Sequence, residues 1–349
     1  EQSTEALMVV SVVGLVTALG AATIALVSTD LKRILAYSTI SHLGLMMLSL
    51  GALGYTAAIF HLVAHGFSKA LLFLSAGSVM HGTDELDVRK LGGLRIAMPI
   101  TAVLFSIGAL SLAGIPVLAG FWSKDEILLA VYSNLPSIFI IFTLLTVFLS
   151  ALYMARAMFL VFFGTIGGSS GSAHESPASM TWTMGILGFF AVTFGFLALN
   201  LGGSLEGFGH FVFFEHAEAF HFNWWLGSIS VLLALAAFVA AYLAYFRYSP
   251  VMARINEKLS PVLKVIENKY YLDEGYQWVI DKVVLGIANF IGYLDRAVVN
   301  DIGVNGPARI IRFIGISFRL HITGNVYSYA LGVAIGMIGL LIVWWSRSV

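Results

Sequence analysis

The chain has 349 residues, 59% hydrophobic and 11% charged, and its 19 basic and 19 acidic residues cancel to zero net charge. Soluble domains carry about 25% charged residues, so a water-soluble globule does not fit, and the neutral balance gives no case for nucleic acid. The absence of cysteine removes disulfides, thiolate nucleophiles, cysteine-ligated zinc and cysteine-held iron–sulfur clusters from this chain.

The apolar runs are continuous and lack period-two alternation, which argues against a β-barrel and for an all-α integral membrane protein. Eight spans are predicted, at 5–27, 34–51, 55–80, 97–132, 137–163, 180–200, 226–246 and 326–345. The fourth is too long for one straight helix. Lys32 and Arg33 follow the first span, Arg89, Lys90 and Arg95 the third, and Arg247, Arg254, Lys258 and Lys264 the seventh. With alternating spans these loops fall on one side. The opposite loops, 51–54, 133–136 and 201–225, lack Lys and Arg, and the last carries Glu206, Glu215 and Glu218. The positive-inside rule puts the basic loops in the cytoplasm or its equivalent.

The second span, LKRILAYSTISHLGLMM, places Tyr37, Ser38, Ser41 and His42 inside an apolar run. Ser38, Ser41 and His42 share one face at i, i+3 and i+4. Hydroxyls of this kind either pack helices or bridge titratable groups.

The third span carries His61, His65 and Lys69 in IFHLVAHGFSKALLF. The spacing of four puts all three within an arc of about 80°, climbing about 6 Å per step. An intramembrane lysine costs roughly 2.5–3.5 kcal/mol on insertion scales, so one without a role tends to be lost. Three proton-exchanging groups stacked a turn apart point to a proton path. Packing histidines with one snorkelling lysine is the plainer alternative. Two unit charges about 6 Å apart at an effective dielectric near 20 repel by roughly 3 kcal/mol. His65 and Lys69 therefore resist being charged together.

The fourth span contains LAGIPVLAGFWSKDEILL, with Gly114, Pro116 and Gly120 close together. Proline and glycine break a helix there and free backbone carbonyls, which is tolerated at membrane depth only in a protein-lined or wet environment. Lys124, Asp125 and Glu126 follow at once. One reading is a second ionisable centre at a discontinuous helix, with Lys124 carrying the proton. The other is a span ending near Ala119, with Ser123 and Glu126 capping a new surface helix. In the fifth span Arg156 is expected to pair with a carboxylate rather than snorkel.

From 271 to 299 the chain is apolar but interrupted by Asp281/Lys282 and Asp295/Arg296, and the stretch between those pairs is too short to cross a bilayer. Arg309, Arg312 and Arg319 then share one helical face. This pattern predicts an amphipathic helix along the membrane surface over 277–320, extending roughly 65 Å if continuous. The stretch NDIGVNGP at 300–307 is expected to break it.

Three motifs in order, STDLKRILAYSTISHLGLM, AIFHLVAHGFSKALLFLSAGSV and AGIPVLAGFWSKDEIL, closely resemble the antiporter-like subunits of respiratory complex I. LYMARAMFLVFFG at 152–164 extends the match. NKYYLDEGYQWVIDKVV at 268–284, followed by a last span, is similar to the member type that carries a lateral helix and a terminal anchor. The resemblance implies a second antiporter-like repeat over 1–165, two further transmembrane helices over 166–247, a lateral region over 248–325 and an anchor over 326–349. The first repeat is expected to be absent from the chain.

The resemblance further implies site roles. Lys69 matches the central lysine of a proton half-channel, with His61 and His65 as its relay. Lys124 matches the lysine of the discontinuous helix, an exchange group toward the outside, with Asp125 beside it. Lys32 matches a lysine of the DLKR motif. His42 departs from the pattern, since many members carry glutamine there. By the same resemblance the chain translocates protons while other subunits move electrons from NADH to quinone. No cofactor is expected in this chain, with FMN, iron–sulfur clusters and quinone in partner subunits. The implied neighbours are antiporter-like subunits M and N, small membrane subunits and the lipid bilayer, in a bacterial inner membrane. A multisubunit Na⁺/H⁺ antiporter shares these motifs, and the equivalent subunit of a ferredoxin-driven or photosynthetic complex differs only in its electron-input partners.

Overall fold

The structure, a computed structural model, describes residues 3–165, 173–198, 208–212, 223–246, 250–322 and 324–348. Its helices form two compact units, one from Glu1 to Tyr270 and one from Tyr271 to Val349. Among the described residues the backbone is helical or loop, with one isolated bridge between Asp30 and Asp87.

In the first unit, α1 (Thr4–Val27), α2 (Leu31–Gly51) and α3 (Tyr55–Thr83) are single apolar helices of membrane-crossing length. Their starts follow local chemistry. Asp30 caps α2 by accepting from the Arg33 amide at 2.8 Å, and Ser3 caps α1. The long fourth span is two helices, α4 (Pro99–Ala113) and α5 (Ala119–Asn134). Gly114 ends α4 in the left-handed region at φ 84°, a conformation glycine adopts without strain. Pro116 stands in the non-helical stretch that follows. α6 (Ser137–Met158) runs on through a π-helical turn at Phe159–Phe163. α7 (Ala178–Thr193), the short α8 (Phe208–Val212), α9 (Trp224–Ala241) and α10 (Pro250–Glu267) complete the unit.

The loops sort to two ends, as alternating spans require. At one end the Leu31 amide donates to Leu86 and the Val88 amide to Thr29, both at 2.9 Å, joining the loops after α1 and α3. Glu175, from the loop after α6, reaches the start of α4. Its carboxylate accepts from the Ile100 amide at 2.8 Å and the Thr101 hydroxyl at 2.5 Å, supplying a cap that the local sequence of α4 lacks. At the other end Asn134 donates its side-chain amide to Ala52 at 3.0 Å. Lys32, Arg33, Arg89, Lys90 and Arg95 flank the first of these ends. Arg247, Glu206, Glu215 and Glu218 lie outside the described residues, and so does the side chain of Arg254.

The apolar core joins α1, α2, α3, α4 and α6 through Ala22, Leu31, Leu35, Leu72, Phe105 and Met154, all fully buried. Packing of this kind, together with interhelical hydrogen bonds, associates helices in lipid. Arg156 corrects the expectation of a carboxylate partner. Its guanidinium donates to the Ser28 carbonyl at 2.7 Å and lies over the Tyr245 ring. The open C-terminal carbonyls of α1 offer it an acceptor, so no carboxylate is needed.

The second unit consists of α11 (Leu272–Val279), α12 (Leu285–Leu294) and α13 (Asn305–His321), followed by α14 (Val326–Ser348). The first three join through π-helical turns at Ile280–Val284 and Asp295–Val304 into one helix of roughly 75 Å. The expected break at 300–307 does not occur. The π-helical segment Asp295–Val304 carries the helix through Gly303, and α13 continues it from Asn305 through Gly306 and Pro307. Asn300 also bonds Asp295 along the same helix at 3.3 Å. The described residues of this unit are largely exposed, with none buried in α11 through α14 apart from side chains at the end of α13 that are not described.

Candidate functional site

The third helix holds the predicted row inside the bundle. His61 is 0% exposed, His65 5% and Lys69 6%, which excludes a snorkelling lysine. Lys69 Nζ donates to the Leu35 carbonyl at 2.8 Å and to the Ser38 hydroxyl, both on α2. His42, also on α2 and fully buried, sits against both histidines of α3. Its Nδ1 is 2.9 Å from His61 Nε2, and its ring centre is 5.1 Å from that of His65. The Nε2 atoms of His42 and His65 are buried without a hydrogen-bond partner among the described residues.

The broken helix joins the same cluster. His61 Nδ1 lies 2.8 Å from the Ser123 hydroxyl on α5. Next to Ser123, Lys124 is 3% exposed. Its Nζ donates to the Leu112 carbonyl at 2.7 Å and to the Ser150 hydroxyl of α6 at 2.8 Å. Leu112 is in the last turn of α4, so the lysine takes a carbonyl that the interrupted helix leaves without an intrahelical partner. The two halves meet closely, with the Gly120 amide bonding the Ser111 hydroxyl at 3.2 Å.

The position of Ser123 overturns the capping reading of the SKDE stretch. Ser123 is inside α5 and buried, not at its start, and its hydroxyl reaches the Ala119 carbonyl at 3.2 Å. It is not the cap of a surface helix. The resulting series runs from Lys69 and His65 through His42 and His61 to Ser123 and its neighbour Lys124. Neither lysine has a carboxylate within ion-pair distance among the described residues, where the ion pairs are the surface contacts Arg89–Asp87 and Lys90–Glu85. Two buried ammonium sites held by carbonyls and hydroxyls, joined by imidazoles, can pass protons but have no fixed counter-charge.

Other predicted residues stand apart. Asp125 accepts from the Asn223 backbone amide, and its Oδ1 is buried without a partner among the described residues. Ser41 donates to the Ala18 carbonyl at 2.8 Å and so ties α2 to α1. Tyr37 packs on the apolar core. Lys32 is half-buried and reaches the Met80 sulfur at 3.1 Å near the bundle end. Ser123 and Ser150 were not among the predicted path residues. Ser150 carries the same signal that singled out Ser38, a serine within an apolar span.

The helices, the discontinuous fourth crossing and the buried lysine–histidine series define an antiporter-like integral membrane protein. Residues 1–150 match the NADH:quinone oxidoreductase/Mrp antiporter transmembrane family. Over 381 residues it is 36% identical to NADH-quinone oxidoreductase subunit L of Neisseria meningitidis serogroup A, covering 98% of this chain and 56% of the relative. It is 37% identical to NAD(P)H-quinone oxidoreductase chain 5 of Picosynechococcus, covering 97% of this chain and 56% of the relative. The chain thus spans about half the length of these curated relatives. A chain of the archaeal membrane-bound sulfane sulfur reductase has a similar fold, with a TM-score of 0.61 at 22% identity over 96% of this chain and 56% of that one.

Proposed function

We propose that this chain translocates protons as part of a membrane-arm subunit of an NADH:quinone oxidoreductase, coupled to electron transfer in other subunits. The observation that carries this reading is the series of buried exchangeable groups between Lys69 and Lys124, with no carboxylate paired to either lysine among the described residues. A proton arriving near one member raises the energy of a charge on the next, so the groups work as one unit. Lys124 acts as the exchange group toward the outside, and Asp125 tunes its surroundings rather than pairing with it.

In this reading the chain takes no direct part in redox chemistry and holds no cofactor. FMN, iron–sulfur clusters and quinone belong to partner subunits. The relatives named for NADH and for NAD(P)H share this part, which supports placing the electron donor elsewhere. The amphipathic helix α11–α13 lies along the cytoplasmic side and braces the chain against antiporter-like neighbours of the M and N type, in a bacterial inner membrane.

The test is proton pumping by the assembled complex in sealed vesicles. Lys69→Ala and Lys124→Ala are each expected to lower pumping while assembly persists. A normal proton-to-electron ratio in both variants overturns the proton-path reading.

A further inference from the structure

Tyr153 of α6 heads the large side chains that are fully buried, yet its hydroxyl has no partner in full hydrogen-bond geometry among the described residues. Buried hydroxyls are nearly always paired, so this one calls for a reason. It faces the hydroxyls of Ser38 and Ser41 on α2 without closing a bond to either. Ser38 is the residue that receives the Lys69 ammonium. One turn before Tyr153, on the same face of α6, Ser150 receives the Lys124 ammonium at 2.8 Å. The phenol thus faces the serine that receives Lys69 and shares a helix face with the serine that receives Lys124.

We propose that Tyr153 is a proton-relay residue on a second route, from Lys69 through Ser38, Tyr153 and Ser150 to Lys124, beside the histidine route. The inference rests on the proton-path reading above. A phenol takes a proton on its oxygen as it passes its own proton on, so the relay ends with the hydroxyl restored and its charge unchanged. An unbonded hydroxyl can turn toward either serine, whereas one locked into a structural bond could not. The histidine route uses α2, α3 and α5, while this one uses α2 and α6. The two routes share only the lysines at their ends.

A purely structural tyrosine makes the opposite prediction. Phenylalanine would keep the ring and remove an unpaired polar atom, so Tyr153→Phe would leave function intact.

The experiment compares the parent, Lys69→Ala and Tyr153→Phe as assembled complexes in sealed vesicles, reading proton pumping against electron transfer. Pumping by Tyr153→Phe is expected to fall by about half, the share of one of two parallel routes, with electron transfer retained. Reduced pumping in Lys69→Ala with normal pumping in Tyr153→Phe overturns the second route alone. Normal pumping in Lys69→Ala overturns the proton path itself. If the phenylalanine variant fails to assemble, 3-fluorotyrosine at position 153 decides, since it keeps the shape but makes the hydroxyl a better donor and a poorer acceptor. A changed pumping rate then supports the relay and an unchanged rate overturns it.

Discussion

His42 Nδ1 stands 2.9 Å from His61 Nε2, with the two rings stacked at 5.2 Å between centres. This contact ties α2 to α3 inside the bundle and brings in a titratable side chain that does not belong to the i, i+4 row.

That contact can be weighed by substitution. His42→Leu leaves a buried nitrogen of His61 without its partner and is expected to destabilise the protein by about 1–3 kcal/mol. His42→Gln keeps an amide within reach of His61 and is expected to stay within about 1 kcal/mol of the parent. Thermal unfolding in detergent reads both. Equal midpoints for the leucine variant and the parent would show that the bond contributes nothing.

The broken helix depends on the absence of a side chain at 120. A Cβ on Gly120 would overlap the Ser111 backbone carbonyl, so the ends of α4 and α5 would have to separate. Gly120→Ala is expected to cost about 1–3 kcal/mol or more and to weaken the Lys124 bond to Leu112. Gly66 offers the control, because a Cβ there meets nothing within 4 Å. Gly66→Ala is expected to stabilise by about 0.5–1 kcal/mol through helix propensity alone. Unfolding midpoints that move together in the two variants would contradict this account.

The loop after α3 has its own pH response. The Arg89 guanidinium, bonded to Asp87 at 2.6 Å, lowers that carboxyl from 3.8 to about 2. A carboxyl depressed in the folded state stabilises fully above its ordinary value, and the contribution fades as pH falls through about 2. The pair is open to solvent, so its weight stays below about 1 kcal/mol. Asp87→Asn should lower the unfolding midpoint at pH 5, with the difference closing toward pH 2. A gap that widens in acid would reverse the sign of this effect.

Removal of residues 277–320 tests the brace. These residues bury nothing within their own unit where their side chains are described, so their surface is left for lipid and neighbouring subunits. The deletion is expected to reduce complex assembly, seen as loss of the full-size band on native gels. An intact complex of normal size would contradict the brace.

Much of the architecture was legible in the residue order. Each predicted span has a helix, because about 20 apolar residues in a bilayer have only one way to satisfy their backbone. Gly114 and Pro116 announced the interruption of the fourth crossing. Local signals misled where tertiary context changed the outcome. NDIGVNGP reads as a breaker in isolation, but a π-helical segment carries the helix through Gly303 and on into α13. Ser123 and Glu126 read as a capping pair, but α5 begins a turn earlier.

By itself the sequence determined the helices, their alternation across the membrane and the single face carrying His61, His65 and Lys69, because periodicity and apolar length act within one segment. Only the tertiary structure decided which groups are neighbours. It turned Lys124 toward Leu112 and Ser150, spent Ser41 on packing with α1, and set Tyr153 opposite Ser38. Spacing places a side chain on its own helix. Contacts between helices depend on how closely and at what rotation two helices pack, and no single segment encodes that.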